Sequence, residues 1–150
     1  MTQMSIPLGH WHDWLKYLMQ VVLAYALTAI IGWNREREEH TAGIRTFPIV
    51  GMASCGYLLL VTSSPDTAAA SRVMQGLITG IGFIGGGAIL KEGPTVKGTA
   101  TAASIWNAGV IGASVAMQRY DIAIILSLLN LFALRVLLPL KNWLDRQKQP

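Results

Sequence analysis

The sequence predicts an all-α polytopic membrane protein, with about five transmembrane helices and a glycine-rich, tightly packed hairpin formed by the third and fourth. Three observations carry this prediction. Of the 150 residues, 52% are hydrophobic and only 13% are charged, against about 25% charged in an ordinary soluble domain. Mean hydropathy is +0.42, and a water-soluble domain this apolar would expose large greasy patches. Finally, the runs 17–33, 46–63, 73–90 and 99–118 carry no charge apart from their edges, and 122–140 carries only Arg135. A bilayer core about 30 Å thick needs a helix of roughly 17–25 residues. Backbone in lipid must satisfy its own hydrogen bonds, which favours helices. The runs are continuous rather than alternating, unlike the strands of a membrane barrel.

Residues 1–16 form the N-terminal flank. In "HWHDWLKYL", Trp11, Trp14, Leu15 and Leu18 recur at helical spacing, and Trp favours the membrane interface. This stretch is expected to be a periplasmic interfacial segment leading into a retained first helix. Its long polar start and the lack of an A-x-A site argue against a cleaved signal peptide. His10, His12 and Asp13 read as solvated side chains. The first loop, 34–45, alternates sign in "REREEH", the pattern of a solvated helical extension with local ion pairs worth a few tenths, ~0.3 kcal/mol, each. The second run holds Cys55, the single cysteine, which excludes an internal disulfide or a cysteine-based zinc cluster.

The third run contains "GIGFIGGGAIL" at 80–90. Gly80-x-Gly82-x-x-Gly85 matches the spacing of a dinucleotide-binding loop. That loop needs a strand before it and an acid about 20 residues later, and "ATAASI" at 100–105 supplies no acid. Close helix packing is the better account. Gly76 and Gly80, and Gly82 and Gly86, are small-xxx-small pairs that let two backbones approach in lipid. The fourth run, rich in Ala, Gly and Ser, answers in kind, and a Leu at Ile81 is expected to be mild if that position faces lipid. A broken helix at Gly85-Gly86-Gly87 holding an ion is the competing reading.

The connecting segments set the orientation. Arg35, Arg37, Arg45, Lys91, Lys97, Lys141, Arg146 and Lys148 fall on one side, and Lys16, Arg72 and Arg119 on the other. The positive-inside rule then places the N-terminus in the periplasm and the C-terminus in the cytoplasm. Residues 17–140 make up the transmembrane domain and 141–150 a short cytoplasmic tail. Arg135, near the cytoplasmic end of the last run, is read first as a snorkelling anchor. The net charge of +4 is spread between apolar runs rather than gathered on a soluble face, so nucleic acid is not an expected partner.

The segments "GWNRE" (32–36), "AGIRT" (42–46), "GIGFIGGGAILKEG" (80–93), "TVKG" (95–98) and "TAASIW" (101–106) resemble the MgtC/SapB family of bacterial inner-membrane proteins, over roughly residues 20–138. The residues inside the matched motifs are the candidate functional set: Arg35, Glu36, Gly43, Arg45, Thr46, Gly80, Gly82, Gly85, Glu92, Gly93, Lys97, Gly98, Thr101 and Trp106. Asn34 departs from the acid that the family usually places after its first span. Ala100 replaces a hydroxyl residue, and Pro48 stands where many relatives have a helix former. Many members also carry a soluble C-terminal regulatory domain, whereas this chain ends at Pro150, ten residues past the last run.

The resemblance implies a protein tied to growth in low magnesium and to survival of pathogens in macrophages. It implies action on other membrane proteins, such as the proton-translocating ATP synthase, rather than magnesium transport. Two functions therefore stand: a membrane protein that modulates a partner, and a small oligomeric channel or transporter. A nucleophile–base pair is not visible, so an enzyme is not expected. The partners expected are the lipid bilayer and another membrane protein or further copies of the chain. No cofactor is expected with any force. Glu36, Glu39 and Glu92 are weak candidates for a Mg²⁺ site, since a hard cation takes oxygen ligands. Arg45 and Glu92 are also expected to pair across the first and third loops.

Overall fold

The structure is a computed structural model that describes residues 11–36, 42–62 and 67–147. Five helices follow in order: α1 (Trp11–Glu36), α2 (Thr46–Thr62), α3 (Thr67–Gly87), α4 (Thr99–Ala116) and α5 (Tyr120–Gln147). Between α3 and α4 lies a small antiparallel hairpin of β1 (Leu90–Glu92) and β2 (Thr95–Lys97), with Leu90 opposite Lys97 and Glu92 opposite Thr95. The sequence suggests only a loop there. Gly93 at φ +61, followed by Pro94, makes the tight two-residue turn that lets the strands pair.

α1 over Asp13–Glu36 and α5 over Tyr120–Leu137 are the two described helices long and apolar enough to cross a membrane, and α2 is apolar but has only 17 residues. α3 and α4 are 21 and 18 residues long and rich in Gly, Ala, Ser and Thr. α1 begins at Trp11, so residues 11–16 of the expected interfacial segment belong to the first long helix, and residues 1–10 lie outside the described residues. α5 likewise runs through the expected tail as far as Gln147.

α4 is the hub, with all four other helices packed against it. Small residues are the reason. A Cβ on Gly112 would fall on the carbonyl oxygen of Gly51, so α2 and α4 cross backbone to backbone. One on Gly51 would stand 2.6 Å from Thr28 Oγ1, which brings α1 equally close on the other side of α2. Thr28 donates at 2.7 Å to Ala24 O within its own turn, so its hydroxyl enters the crossing with its hydrogen bond already made. Phe47, Ile31, Leu58, Ile105 and Ile111 fill the space around these contacts and are fully buried.

The expected glycine hairpin of α3 and α4 takes a different form. The two helices do pack, but through Ile81 and Gly85. Ile81 does not face lipid: it is 6% exposed, and its side chain lies over Gly109. A Cβ on Gly85 would stand 3.1 Å from the Ala102 carbonyl oxygen, whereas Gly76, Gly80, Gly82, Gly86 and Gly87 have nothing within 4 Å. The run is one continuous helix to Gly87, not a broken one. Glycine spacing identifies a helix with a small face; it does not say which neighbour that face meets.

Five further hydrogen bonds hold the helices and the last turn together. The Gln20 amide donates to the carbonyls of Val115 (3.0 Å) and Ala116 (3.3 Å), joining α1 to the last turn of α4. Ser127 Oγ donates to Leu27 O at 2.9 Å, joining α5 to α1. At the turn between α4 and α5, Gln118 takes φ 59. There Gln118 N–H donates to Val115 O and Arg119 N–H to Ser114 O, at 3.0 and 2.8 Å, a helix ending usually made with glycine. Gln118→Gly is expected to stabilise the chain by about 1 kcal/mol, by removing left-handed strain from a side-chain-bearing residue. A detergent melting curve reads this, and an unchanged or lower midpoint would show that Gln118 is not strained.

Candidate functional site

Most of the matched motif residues gather at one end of the bundle, where α1 ends, α2 and α4 begin, and α5 passes by. Two close approaches build this end. Gly32 lies under the returning chain, with a Cβ there 2.9 Å from Gly43 O and 3.2 Å from Phe47 Cβ. Gly98 has φ +85, and a Cβ on it would fall on the Ala88 carbonyl oxygen. The first approach folds residues 42–45 back over α1. The second folds the hairpin back onto the end of α3 and aims α4 into the bundle.

Within this frame Arg35 is 4% exposed and Thr101 fully buried. Arg35 Nη2 donates to Thr101 Oγ1 at 3.2 Å, joining positions 66 residues apart. One residue on, Glu36 Oε2 accepts the Ile44 N–H at 3.1 Å, closing the connection into α2. One residue back, Asn34 Oδ1 accepts from Arg135 Nε at 2.9 Å. Arg135 is therefore more than a snorkelling anchor: it ties α5 to the end of α1. A cation on a membrane helix needs an acceptor, and Asn34, at the position where the resemblance leads one to expect an acid, is that acceptor.

Glu92 pairs with Lys97 at 2.5 Å across the hairpin, with both side chains exposed. This replaces the expected Arg45–Glu92 pair. Lys97 is two residue pairs along the neighbouring strand, on the same face as Glu92, whereas Arg45 is exposed at the start of α2. Thr46 and Gly43 belong to the same turn, where the Gly43 carbonyl accepts the Thr46 and Phe47 N–H groups. Gly93 makes the hairpin turn, Gly85 lies against Ala102, and Gly80 and Gly82 are open. Trp106 lies apart from this end, 47% exposed, beside a cleft between α3 and α4 lined by Met74, Leu77 and Gly109.

Of the Mg²⁺ candidates, Glu36 is engaged by the Ile44 amide and Glu92 by Lys97, and Glu39 lies outside the described residues. Among the described residues no group of three or more His, Cys, Asp or Glu side chains is placed to hold a metal.

Beside Arg35 opens a groove of about 760 Å³ between the hairpin, α4 and α5. Its polar end holds Arg35, Lys97, Gly98, Thr99 and Thr101, and leucines of α5 form its wall. Gly98 caps α4 without any side-chain hydrogen bond, so the positive end of that helix is left to other acceptors. Further in, Ser104 Oγ donates to Asn130 Oδ1 at 2.9 Å and Asn107 Nδ2 to Leu126 O at 3.3 Å. Asn130 Nδ2 is buried without a hydrogen-bond partner among the described residues. In the sequence Ser104, Asn107 and Asn130 are isolated polar residues within apolar runs. Their common groove depends on the antiparallel register of α4 and α5, which no local pattern reveals.

The MgtC family profile matches residues 21–143. Protein SrpB of Synechococcus elongatus is 32% identical over 148 residues, covering 89% of this chain and 80% of that protein. Protein MgtC of Salmonella typhimurium is 32% identical over 118 residues, covering 78% and 50%. The protein named "Putative magnesium transporter YhiD" in Escherichia coli is 30% identical over 131 residues, covering 81% and 60%. The chain thus spans between half and four-fifths of the length of these relatives. No solved structure matches it.

Proposed function

The chain belongs to the MgtC family, and on that footing we propose that it is a multi-pass inner-membrane protein that serves adaptation to low magnesium by docking on a partner membrane protein and changing its activity. The observation that carries this reading is the open face of α3. Gly76, Gly80, Gly82 and Gly86 have no atom within 4 Å of a Cβ position, and Phe83 between them is 85% exposed. Each helical glycine costs roughly 1 kcal/mol against alanine. In lipid the compensation is close contact with another helix, and within the protomer α4 supplies that contact only at Gly85. The link to magnesium is supported by family membership and by the relatives' names. Five crossings with a cytoplasmic C-terminus are supported by the two long apolar helices and by the collection of Arg35, Arg45, Lys97 and Arg135 at one end of the bundle.

The test is purification of tagged chain in mild detergent, with growth in low magnesium measured in parallel. Gly82→Leu is expected to leave membrane abundance and melting unchanged while abolishing both recovery of a specific membrane partner and support of growth. Retention of both by Gly82→Leu would remove α3 as the docking face. The name of YhiD supports transport as a second reading. Mg²⁺ flux through vesicles holding only the purified chain would favour it over partner modulation.

A further inference from the structure

At the end of the bundle away from Arg35, a pocket of about 330 Å³ opens between α1, α2 and the end of α4. Lys16, Tyr17 and Gln20 of α1 line it, with Thr62 at the end of α2 and Gln118 in the turn after α4. Gln20 is 3% exposed. Its amide has one workable orientation. Nε2 donates to the carbonyls of both Val115 and Ala116, at 3.0 and 3.3 Å, and an oxygen in its place would face two oxygens. Oε1 is therefore an acceptor, and it is buried with no hydrogen-bond partner among the described residues. A buried polar group left unpaired is costly, so this site calls for a donor. Lys16 lies one turn earlier on the same face of α1. No carboxylate lines the pocket among the described residues. Asp13, one turn before Lys16, is already engaged, and Asp121 is paired with Arg119. The pocket thus sets a cation without a counter-ion beside an acceptor without a donor, among the described residues.

We propose that this pocket binds the headgroup of phosphatidylethanolamine. The lipid phosphate meets the Lys16 ammonium, and the primary ammonium of the headgroup donates to Gln20 Oε1. Its other two N–H donors turn to the Tyr17 and Thr62 hydroxyls and the Gln118 amide oxygen. The proposal rests on the membrane placement given above, but not on the partner reading. Charge and hydrogen-bond complementarity decide the occupant. A trimethylammonium headgroup has no N–H for Gln20, and the pocket offers one aromatic ring, Tyr17, rather than the cage that holds quaternary ammonium groups. A headgroup with only an anion would answer Lys16 but bring no cation to Gln20, which sits on the negative C-terminal end of α4. Depth agrees with a lipid. Trp14, Tyr17 and Tyr120 are exposed at this end of the bundle, and such rings settle at the headgroup level. Leu59 and Met117 complete the lining and give the glycerol an apolar edge. The volume is within the roughly 300–1,000 Å³ usual for ligand sites.

Native mass spectrometry of the purified chain in delipidated detergent reads the proposal directly. The titrants are phosphatidylethanolamine, its mono- and dimethyl forms, phosphatidylcholine and phosphatidylglycerol. Wild type is expected to retain one phosphatidylethanolamine, with retention falling at each added methyl group and about tenfold weaker for phosphatidylcholine. Varying the lipid tests Gln20 Oε1 without disturbing the bonds that Gln20 makes to α4. Lys16→Gln, at an exposed position, is expected to weaken retention about tenfold. Thr62→Trp, also exposed, fills the pocket and is expected to abolish it, with the melting curve unchanged in both variants. Equal retention of the ethanolamine and choline lipids would overturn the proposal, as would a preference for phosphatidylglycerol or undiminished retention by Thr62→Trp. Full displacement by free phosphoethanolamine would overturn the lipid source and assign a soluble ligand of the same chemistry. Recovery of the chain from cells without detergent would instead remove the membrane placement, and the proposal with it. None of these readouts depends on the partner of α3.

Discussion

Gly112→Leu is expected to abolish accumulation of folded protein in the membrane, and even Gly112→Ala to destabilise it by about 1–3 kcal/mol, the usual cost of overpacking. The side chain has nowhere to go. Its first carbon would fall on the Gly51 carbonyl oxygen, 2.9 Å from the Gly51 carbonyl carbon and 3.0 Å from Ser54 Cβ. Two of these atoms are backbone, so relief requires α2 to move as a body. α2 is also held from behind, because Gly51 faces the Thr28 side chain of α1 so closely that a Cβ there would stand 2.6–2.7 Å from it. Separating α4 from α2 therefore drives α2 into α1. Cys55, the only cysteine and fully buried on α2, reports the displacement. In detergent, Gly112→Ala should speed its reaction with a thiol reagent, while Gly80→Leu, with open space at its Cβ, should leave it protected. Equal protection in all three proteins would mean that α2 and α4 do not cross at these glycines.

That comparison also marks how far the sequence is legible. The five helices can be read from composition, because each apolar run is bounded by charges or by Gly and Pro, and their number and order hold. The resemblance carried by "GWNRE" and "TAASIW" is borne out as family membership. The glycine spacing correctly signals small helix faces. Yet the closest crossings belong to the lone Gly51 and Gly112, while most of the 80–87 run looks outward. Packing partners depend on helix rotation, which spacing alone leaves undetermined.

The polar contacts divide in the same way. Lys97 pairs with Glu92, five residues away, because the Gly93-Pro94 turn sets their strands side by side. That pairing was accessible to a closer reading of the turn. The Arg35–Thr101 and Asn34–Arg135 bonds join α1 to α4 and α5 across 66 and 101 residues. In the sequence Arg35 looks like one more cation of a solvated, sign-alternating stretch. Nothing local in the sequence marks this one charge as buried.

That distinction makes Arg35 the second site of large effect. Arg35→Met keeps the length and apolar stem but removes the charge, and is expected to cost about 2–4 kcal/mol in detergent stability. The loss comes from Thr101, whose fully buried hydroxyl forfeits the cationic donor, and from a bundle end shaped around a planar group. Arg35→Lys should recover little, because an ammonium on a flexible stem lacks the fork that reaches Thr101 sideways. Thr101→Val alone is expected to cost about 1–2 kcal/mol, leaving the buried guanidinium short of one acceptor. Combined with Arg35→Met it should cost almost nothing more, so the cycle should show coupling of about 1 kcal/mol or above. Additive losses would show that the 3.2 Å contact carries no energy of its own. They would also leave the burial of Arg35 to be explained by its place on the groove wall.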